Sequence, residues 1–360
     1  KVVYSEAYYN DTSISRIQKS LDVVGTSPAD AKCRSFVDGS DPNCVPWNIW
    51  TINPGPGVLG AAAGAAYISV PGFSRGNTDQ TVVAFATSAN LGNYGMTLPT
   101  AKDGVRVAFG AEYRQEGLDY QTDIEFQTGD LSGQGGPSLP VKGSYNVKDI
   151  FGEARVPVVQ DAAFAREITF NGSYRYSDYS EGFSTNTYGL GLDWQIIDDV
   201  RFRGSFQHAV RAPNIVELFA PVGLDLWNSV NGDPCGRAKE LTLEQCANTG
   251  LTNPLLYGSA DLTNPAQQYN ATFGGNTDLK PETGDTWTAG IVFTPTFLEG
   301  FWLSLDYWHI NIDDVLGYQL PNLTLKLCGL TGDPAYCDLV FRDSTGSIWA
   351  FSISITSTYL

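Results

Sequence analysis

The sequence predicts an all-β fold: part of a large antiparallel up-and-down transmembrane β-barrel, with long extracellular loops and short periplasmic turns. Three observations point there. Apolar and polar residues alternate through about ten segments, the period at which successive side chains face opposite sides of a sheet. Gly 38, Tyr 18, Phe 18 and Trp 8 stand beside Met 1 and His 2, a composition suited to strands with aromatic borders rather than packed helices. The links between segments sort by length, short after even-numbered segments and mostly long after odd ones, as in barrels whose alternate connections emerge on one side.

The segments follow in chain order. The opening KVVYSEAYY reads as a strand over 2–9, already under way at Lys1, as expected of a fragment. Further alternations are read near 79–90 and 144–157. Val105, Val107, Phe109, Ala111 and Tyr113 share one parity, with Arg106, Glu112 and Arg114 on the other. Ile168, Phe170, Tyr174 and Tyr176 oppose Glu167, Asn171 and Arg175. Tyr188, Leu190, Leu192, Trp194 and Ile196 oppose Thr187, Asp193 and Gln195. In VRFRGSFQHAVRAPNIVELF, residues 200–219, Arg201, Arg203, Gln207 and Arg211 interleave with Val200, Phe202, Phe206 and Val210. Trp287, Ala289, Ile291 and Phe293 form the next apolar row, then Phe301, Leu303, Leu305 and Tyr307 opposite Ser304 and Asp306. Trp349, Phe351, Ile353 and Ile355 close the series.

Half-buried soluble strands also alternate, so periodicity leaves the buried face undecided. The connections separate the cases. The links 91–103, 158–165, 197–199 and 296–300 are modest, whereas 10–78, 117–143, 178–184, 212–282 and 316–345 are mostly long. All six cysteines lie in the long set, as the local pairs Cys33 and Cys44, Cys235 and Cys246, Cys328 and Cys337. Their Gly/Pro/Asp-rich flanks favour short disulfide-closed loops in an oxidising compartment over zinc, whose usual Cys-x2-4-Cys spacing is missing. The nearest apolar run, GVLGAAAGAAYISV at 57–70, is too short for a membrane helix, and no signal peptide is visible. A net charge of -17 sets nucleic acid aside as a partner.

No motif for catalysis, metal or cofactor emerges. GDLSGQGGPS at 129–138 lacks the Gly-Lys-Ser/Thr ending of a phosphate loop, and DGSD at 38–41 lacks a spaced calcium-ligand set. His208 and His309 fall on apolar parities late in strands that head for the long-loop side, where amphipathic rings collect at a membrane interface. Arg114, Arg201 and Arg203 would line the interior, contacting solute or forming a salt-bridge network. Trp47, Trp50, Trp227, Tyr257 and Tyr269 in the long loops would capture ligand or form the loops' own small cores.

RFRGSFQHAVRAPNIVELF, a long loop, and then GGNTDLKPETGDTWTAGIVFTP together resemble the paired signature of TonB-dependent outer-membrane receptors. The matching residues are Arg211, Ala212, Pro213, Glu217 and Leu218, then Asn276, Leu279, Lys280, Pro281 and Glu282. The resemblance implies a bacterial outer-membrane, energy-coupled importer of a small-molecule or oligomeric substrate such as an iron chelate, cobalamin or oligosaccharide. Its partners would be outer-membrane lipid and a periplasmic TonB protein acting through a plug domain. It also implies that 1–360 is part of a barrel of about 22 strands, with the N-terminal plug and final strands outside these residues. Pro213 and Pro281 would mark where ladder pairing stops and resumes, and Arg211 and Glu282 would pair at the loop base. Two rival readings are a secreted all-β carbohydrate-active enzyme with disulfide-pinned loops, and a surface adhesin on a similar barrel. A detergent-free monomer active on polysaccharide would favour the enzyme.

Overall fold

The computed structural model describes residues 1–27, 29–49, 61–229, 232–264, 267–351 and 355–358. Nine long strands form one antiparallel sheet, each beside the next long strand in sequence. They are β1 (Val2–Thr12), β2 (Ser69–Asn90), β3 (Arg106–Thr122), β4 (Val141–Ala162), β5 (Ala165–Tyr179), β6 (Ser184–Ile197), β7 (Val200–Arg211), β8 (Glu282–Phe293) and β9 (Leu303–Asp313). Segments 91–105, 163–164, 198–199 and 294–302 join strands at one end. Segments 13–68, 123–140, 180–183 and 212–281 join them at the other. The expected sorting of links by parity is therefore present, with the four-residue link 180–183 as its exception. Among the described residues, no helix is long and apolar enough to cross a membrane.

One expected strand is corrected. The alternation at 349–355 does not extend the sheet: Ile348–Phe351 pairs with Val340–Arg342 in a short hairpin, and Ile353 lies outside the described residues. Short strands that pack on a loop's own core alternate for the same reason barrel strands do, and Ile348 is buried in such a core. β2 and β4 run for 22 residues each, more than the 9 to 11 a tilted span needs, so they project past a bilayer's apolar core. At that projecting end the outward parity turns polar, with Asn77 and Asp79 on β2 across from Asp119 and Gly117 on β3.

The burial of the two faces inverts the order of a soluble sheet. On the apolar parity Leu190 is 65% exposed and Leu305 76%, whereas on the polar parity Asp149 is 3% and Thr169 1% exposed. Each large apolar side chain left in water forgoes about 1.5–3 kcal/mol, so a face this size is stable only against hydrocarbon. A secreted enzyme with the same periodicity would lay a second sheet over Leu190 and Leu305; among the described residues nothing covers them. The buried apolar clusters lie in the loops and at strand ends on the long-loop side instead.

The loop 212–281 and the segment after β9 fold together as a cap. A hairpin of Gly223–Asn228 and Gln268–Phe273 packs Trp227, Tyr269 and Ala271 against Leu325 and Ile348. A second cluster gathers Leu241, Leu251 and Leu262 around Cys235 and Cys246. The disulfides close as the local pairs Cys33–Cys44, Cys235–Cys246 and Cys328–Cys337.

Candidate functional site: the charged wall and its loop cap

At the top of β7 the chain leaves the ladder at Arg211, paired in register with Glu282, the first residue of β8. Pro213 follows and Pro281 precedes, so neither proline has to donate within the paired region. Asn214 then caps a short helix, Ile215–Phe219: its side chain accepts from the Glu217 amide at 2.9 Å while Glu217 Oε2 accepts from the Asn214 amide at 2.8 Å. Glu217 thereby also faces Arg211. The guanidinium donates from Nε to Glu282 Oε2 at 2.7 Å, from Nη2 to Glu282 Oε1 at 2.9 Å, and from Nη1 to Glu217 Oε2 at 3.0 Å.

The second half of the signature docks on the same helix. Gly275 donates to Ala220 O and Asn276 to Glu217 O, each at 2.8 Å. A Cβ at Gly275 would lie 2.8 Å from the Leu218 backbone, so a side chain there would push the two segments apart. Leu218 and Leu279 bury against Leu316, with Tyr145 and Phe219 beside them. The Leu316 amide donates to Glu282 Oε1 at 2.6 Å, which ties the segment after β9 to the same carboxylate. Tyr145 and the nearby Gly143 belong to the polar parity of β4, and a Cβ on Gly143 would collide with the Phe219 ring. The loop base therefore folds inward, over the charged face.

That face is a network of paired charges. Arg114 Nε lies 3.2 Å from Glu116, Arg155 Nη2 2.8 Å from Glu167, and Arg175 Nη1 3.6 Å from the buried Asp149. Arg175 also sits over the Phe151 ring, 4.8 Å from its centroid. Arg201 bridges to Asp193. Arg203 reaches Asp306, two strands away, at 2.8 Å. The strand between contributes Gly290, where a Cβ would fall on the Asp306 carboxylate. Glycine is what lets this bridge pass.

The residues expected to contact ligand are dispersed. Arg114, Arg201 and Arg203 line the charged face, each held by a carboxylate. Trp227 and Tyr269 stack at 5.2 Å inside the cap and are buried, so they build the loop's own core; that burial pushes the Tyr269 phenol up. Tyr257 is half-buried, its hydroxyl donating to Leu241 O at 2.9 Å, and Lys239 sits over its ring. Trp47 is half-buried beside Gly64, and Trp50 lies outside the described residues.

Two constellations escaped sequence reasoning. Arg342 and Asp233 form a buried ion pair, with side chains 2% and 0% exposed, that joins the two halves of the cap. Arg342 further donates to Gly346 O at 2.8 Å and to Thr249 Oγ1 at 3.0 Å. On the apolar parity His208 stacks on Tyr188, and its Nδ1 lies 2.6 Å from Asp285. An apolar-parity histidine across from an aspartate was the available signal. For Arg342 there was none.

The family model described as TonB dependent receptor-like, beta-barrel, matches residues 48–344. The chain belongs to the TonB-dependent receptor family. Its charged face is thus the lumen side of a bacterial outer-membrane barrel wall, and its long loops are extracellular. Among similar solved structures is the ferric enterobactin receptor PfeA of Pseudomonas aeruginosa, here a Q482A mutant bound to enterobactin. It is 14% identical with a TM-score of 0.44, over 86% of this chain and 35% of that one. The siderophore receptor PirA of the same organism is 13% identical with a TM-score of 0.45, over 80% and 39%. The Serratia marcescens hemophore receptor HasR, in complex with HasA and heme, is 12% identical with a TM-score of 0.43, over 80% and 38%. The chain spans little more than a third of the length of the receptors it matches.

Proposed function

We propose that this chain is the barrel wall and extracellular cap of an outer-membrane receptor for energy-coupled uptake of a scarce or large solute. Iron chelates, cobalamin and oligosaccharides are the candidate cargoes, and a periplasmic TonB protein, acting through a plug domain, is the proposed energy source. The observation that carries this reading is the inward-folded loop base on a receptor-family barrel. Arg211, Glu217 and Glu282 anchor the cap directly over a lumen wall on which Arg114, Arg155, Arg201 and Arg203 each pair with a carboxylate. Such a wall lets a polar solute or a polar plug slide past without stranding a buried charge. Solute capture then falls to the cap and to side chains outside the ion-pair network.

The test is uptake. The gene is deleted in its host, and accumulation of labelled ferric chelates, cobalamin and oligosaccharides is compared with the parent and with a strain lacking TonB. Loss of the same cargo in both strains is expected. Full accumulation of every cargo in the deletion strain contradicts the reading.

A further inference from the structure

We infer that the lumen wall from β5 to β9 carries a binding site for a neutral oligosaccharide, an inference that rests on the importer reading above and selects among its cargoes. The register lays two rows across these strands on the parity of the charged face. One is Asn171, Gly191, Ser205, Thr288 and Trp308; the other is Ser173, Gly189, Gln207, Thr286 and Ile310. Neither row holds a charge over these five strands, although the row beside them carries the Arg203–Asp306 bridge. Gly189 and Gly191 have no side chain, so the wall sinks there. The resulting groove of about 460 Å³ has Asn171 and Ser173 on one side, Ser205 and Gln207 on the other. Gln207 and Ser205 precede Arg211 on β7, which sets the groove about 14–20 Å from the loop base at about 3.4 Å per residue.

Two features set this band apart from a wall that is merely wet. The first is apolar. Trp308 and Ile310 share the parity of Asp306, facing the lumen, and are 66% and 50% exposed. Leu305 and Tyr307 occupy the other face of the same strand, so β9 is apolar on both sides where a barrel wall keeps its lumen side polar. Large apolar side chains left in water each forgo about 1.5–3 kcal/mol, and contact with the apolar face of a solute recovers part of it. The second feature is polar. The Ser205 and Thr288 hydroxyls bond each other at 2.6 Å, but among the described residues the side chains of Asn171, Ser173, Gln207 and Thr286 make no hydrogen bond. A sugar ring presents a C–H face and an edge of hydroxyls that both donate and accept. A flat indole suits the face, and amides and hydroxyls suit the edge. An anionic chelate calls for an unopposed cation, and the two rows offer none between β5 and β9.

The test is calorimetric titration of the full-length receptor in mild detergent with maltohexaose, cellohexaose and xylohexaose, and with ferric enterobactin and cobalamin as rival cargoes. At least one hexasaccharide should bind the wild type. Trp308→Ala should weaken that binding about tenfold, as loss of an aromatic anchor does. Trp308→Phe keeps a flat ring and should retain most of the affinity, whereas Trp308→Leu keeps only apolar area and should lose it. A Trp308 that merely packs against protein would tolerate both alike. Heat-modifiable gel migration reports that the barrel has folded. If the Trp308 variants do not fold, Gly191→Gln fills the groove floor and should weaken binding instead. A Cβ there would sit 3.7 Å from Asn171, ordinary contact, so the strand can carry it. Four results overturn the site: no hexasaccharide bound by the wild type, undiminished binding in the folded variants, Leu and Phe tolerated equally at Trp308, or a rival cargo bound in place of the sugar. TonB-dependent uptake of a chelate or cobalamin alone would end the oligosaccharide site and keep the importer reading; no TonB-dependent cargo at all would end both.

Discussion

Arg211 joins three parts of the chain through one guanidinium, and its planar fork suits two carboxylates better than an ammonium would. Arg211→Ala and Glu282→Ala should therefore act non-additively, with a coupling of about 1 kcal/mol, discounted because Arg211 is part-exposed. Protease resistance of the loop 212–281 reads this out, and independent effects would show that the pair does not hold the loop base. Arg342 is the sharper case. Arg342→Ala strands the Asp233 carboxylate in a site of 0% exposure, at a cost of about 3–5 kcal/mol. Hydrogen exchange across 268–273 should accelerate, and combining Arg342→Met with Asp233→Leu, which removes both charges together, should restore much of the protection. Equal exchange in Arg342→Ala and wild type contradicts this. Arg211 and Glu282 were legible because each sits within two residues of a proline at the point where alternation stops and resumes. Arg342 and Asp233 lie 109 residues apart in aperiodic loops, and no local pattern points one at the other.

Among the elements, the strands with strict alternation were readable to within a few residues, since one face must stay apolar along the whole membrane crossing. The start of β2 was hidden. SVPGFSRGN carries Pro71 and two glycines and reads as loop, yet Pro71 pairs only with β1, because β3 joins the ladder from Ser74 onward. A proline with one side unpaired leaves no ladder bond unmade. The cysteine pairs were legible through proximity, and their contribution is measurable. Replacing Cys235 and Cys246 by serine should destabilise the cap by about 2–3 kcal/mol through regained loop entropy. Cap proteolysis should speed up while the heat-modifiable migration of the barrel is unchanged; an unaltered cap would show that the cluster around Leu241 suffices alone. In the loop after β1, the Tyr67 hydroxyl above all, then Lys19 and the Asn43 amide, hold the Asp41 carboxyl below the usual carboxylate range against the opposing effect of burial. A depressed value stabilises the fold fully above the unfolded pKa of about 3.9 and ceases to as pH falls through the lowered value. Loop protection over 13–49 should thus fail only in strong acid, and Tyr67→Phe should move that failure to higher pH. An unshifted acid limit in Tyr67→Phe would sever the link.

At the scale of the molecule, a one-layer sheet has no interior of its own; solvent on one side and hydrocarbon on the other take the place of a core. This made the barrel wall readable from sequence, because alternation, link sorting and the cysteine side all follow from that single constraint. The cap was not readable. Its packing depends on contacts between the loop after β7 and the segment after β9, and neither is periodic. The lumen network was visible as a polar parity, but which arginine met which carboxylate depended on strand stagger and on gaps such as Gly290. The most direct measurement places single nitroxide labels at Leu190 and Leu305 on one face and at Ser173 and Thr288 on the other, in the intact receptor reconstituted in vesicles. Collision with oxygen should dominate at Leu190 and Leu305, and collision with a water-soluble nickel chelate at Ser173 and Thr288. Labels at Leu190 and Leu305 shielded from both reagents, as if packed under a second layer of protein, would contradict the account.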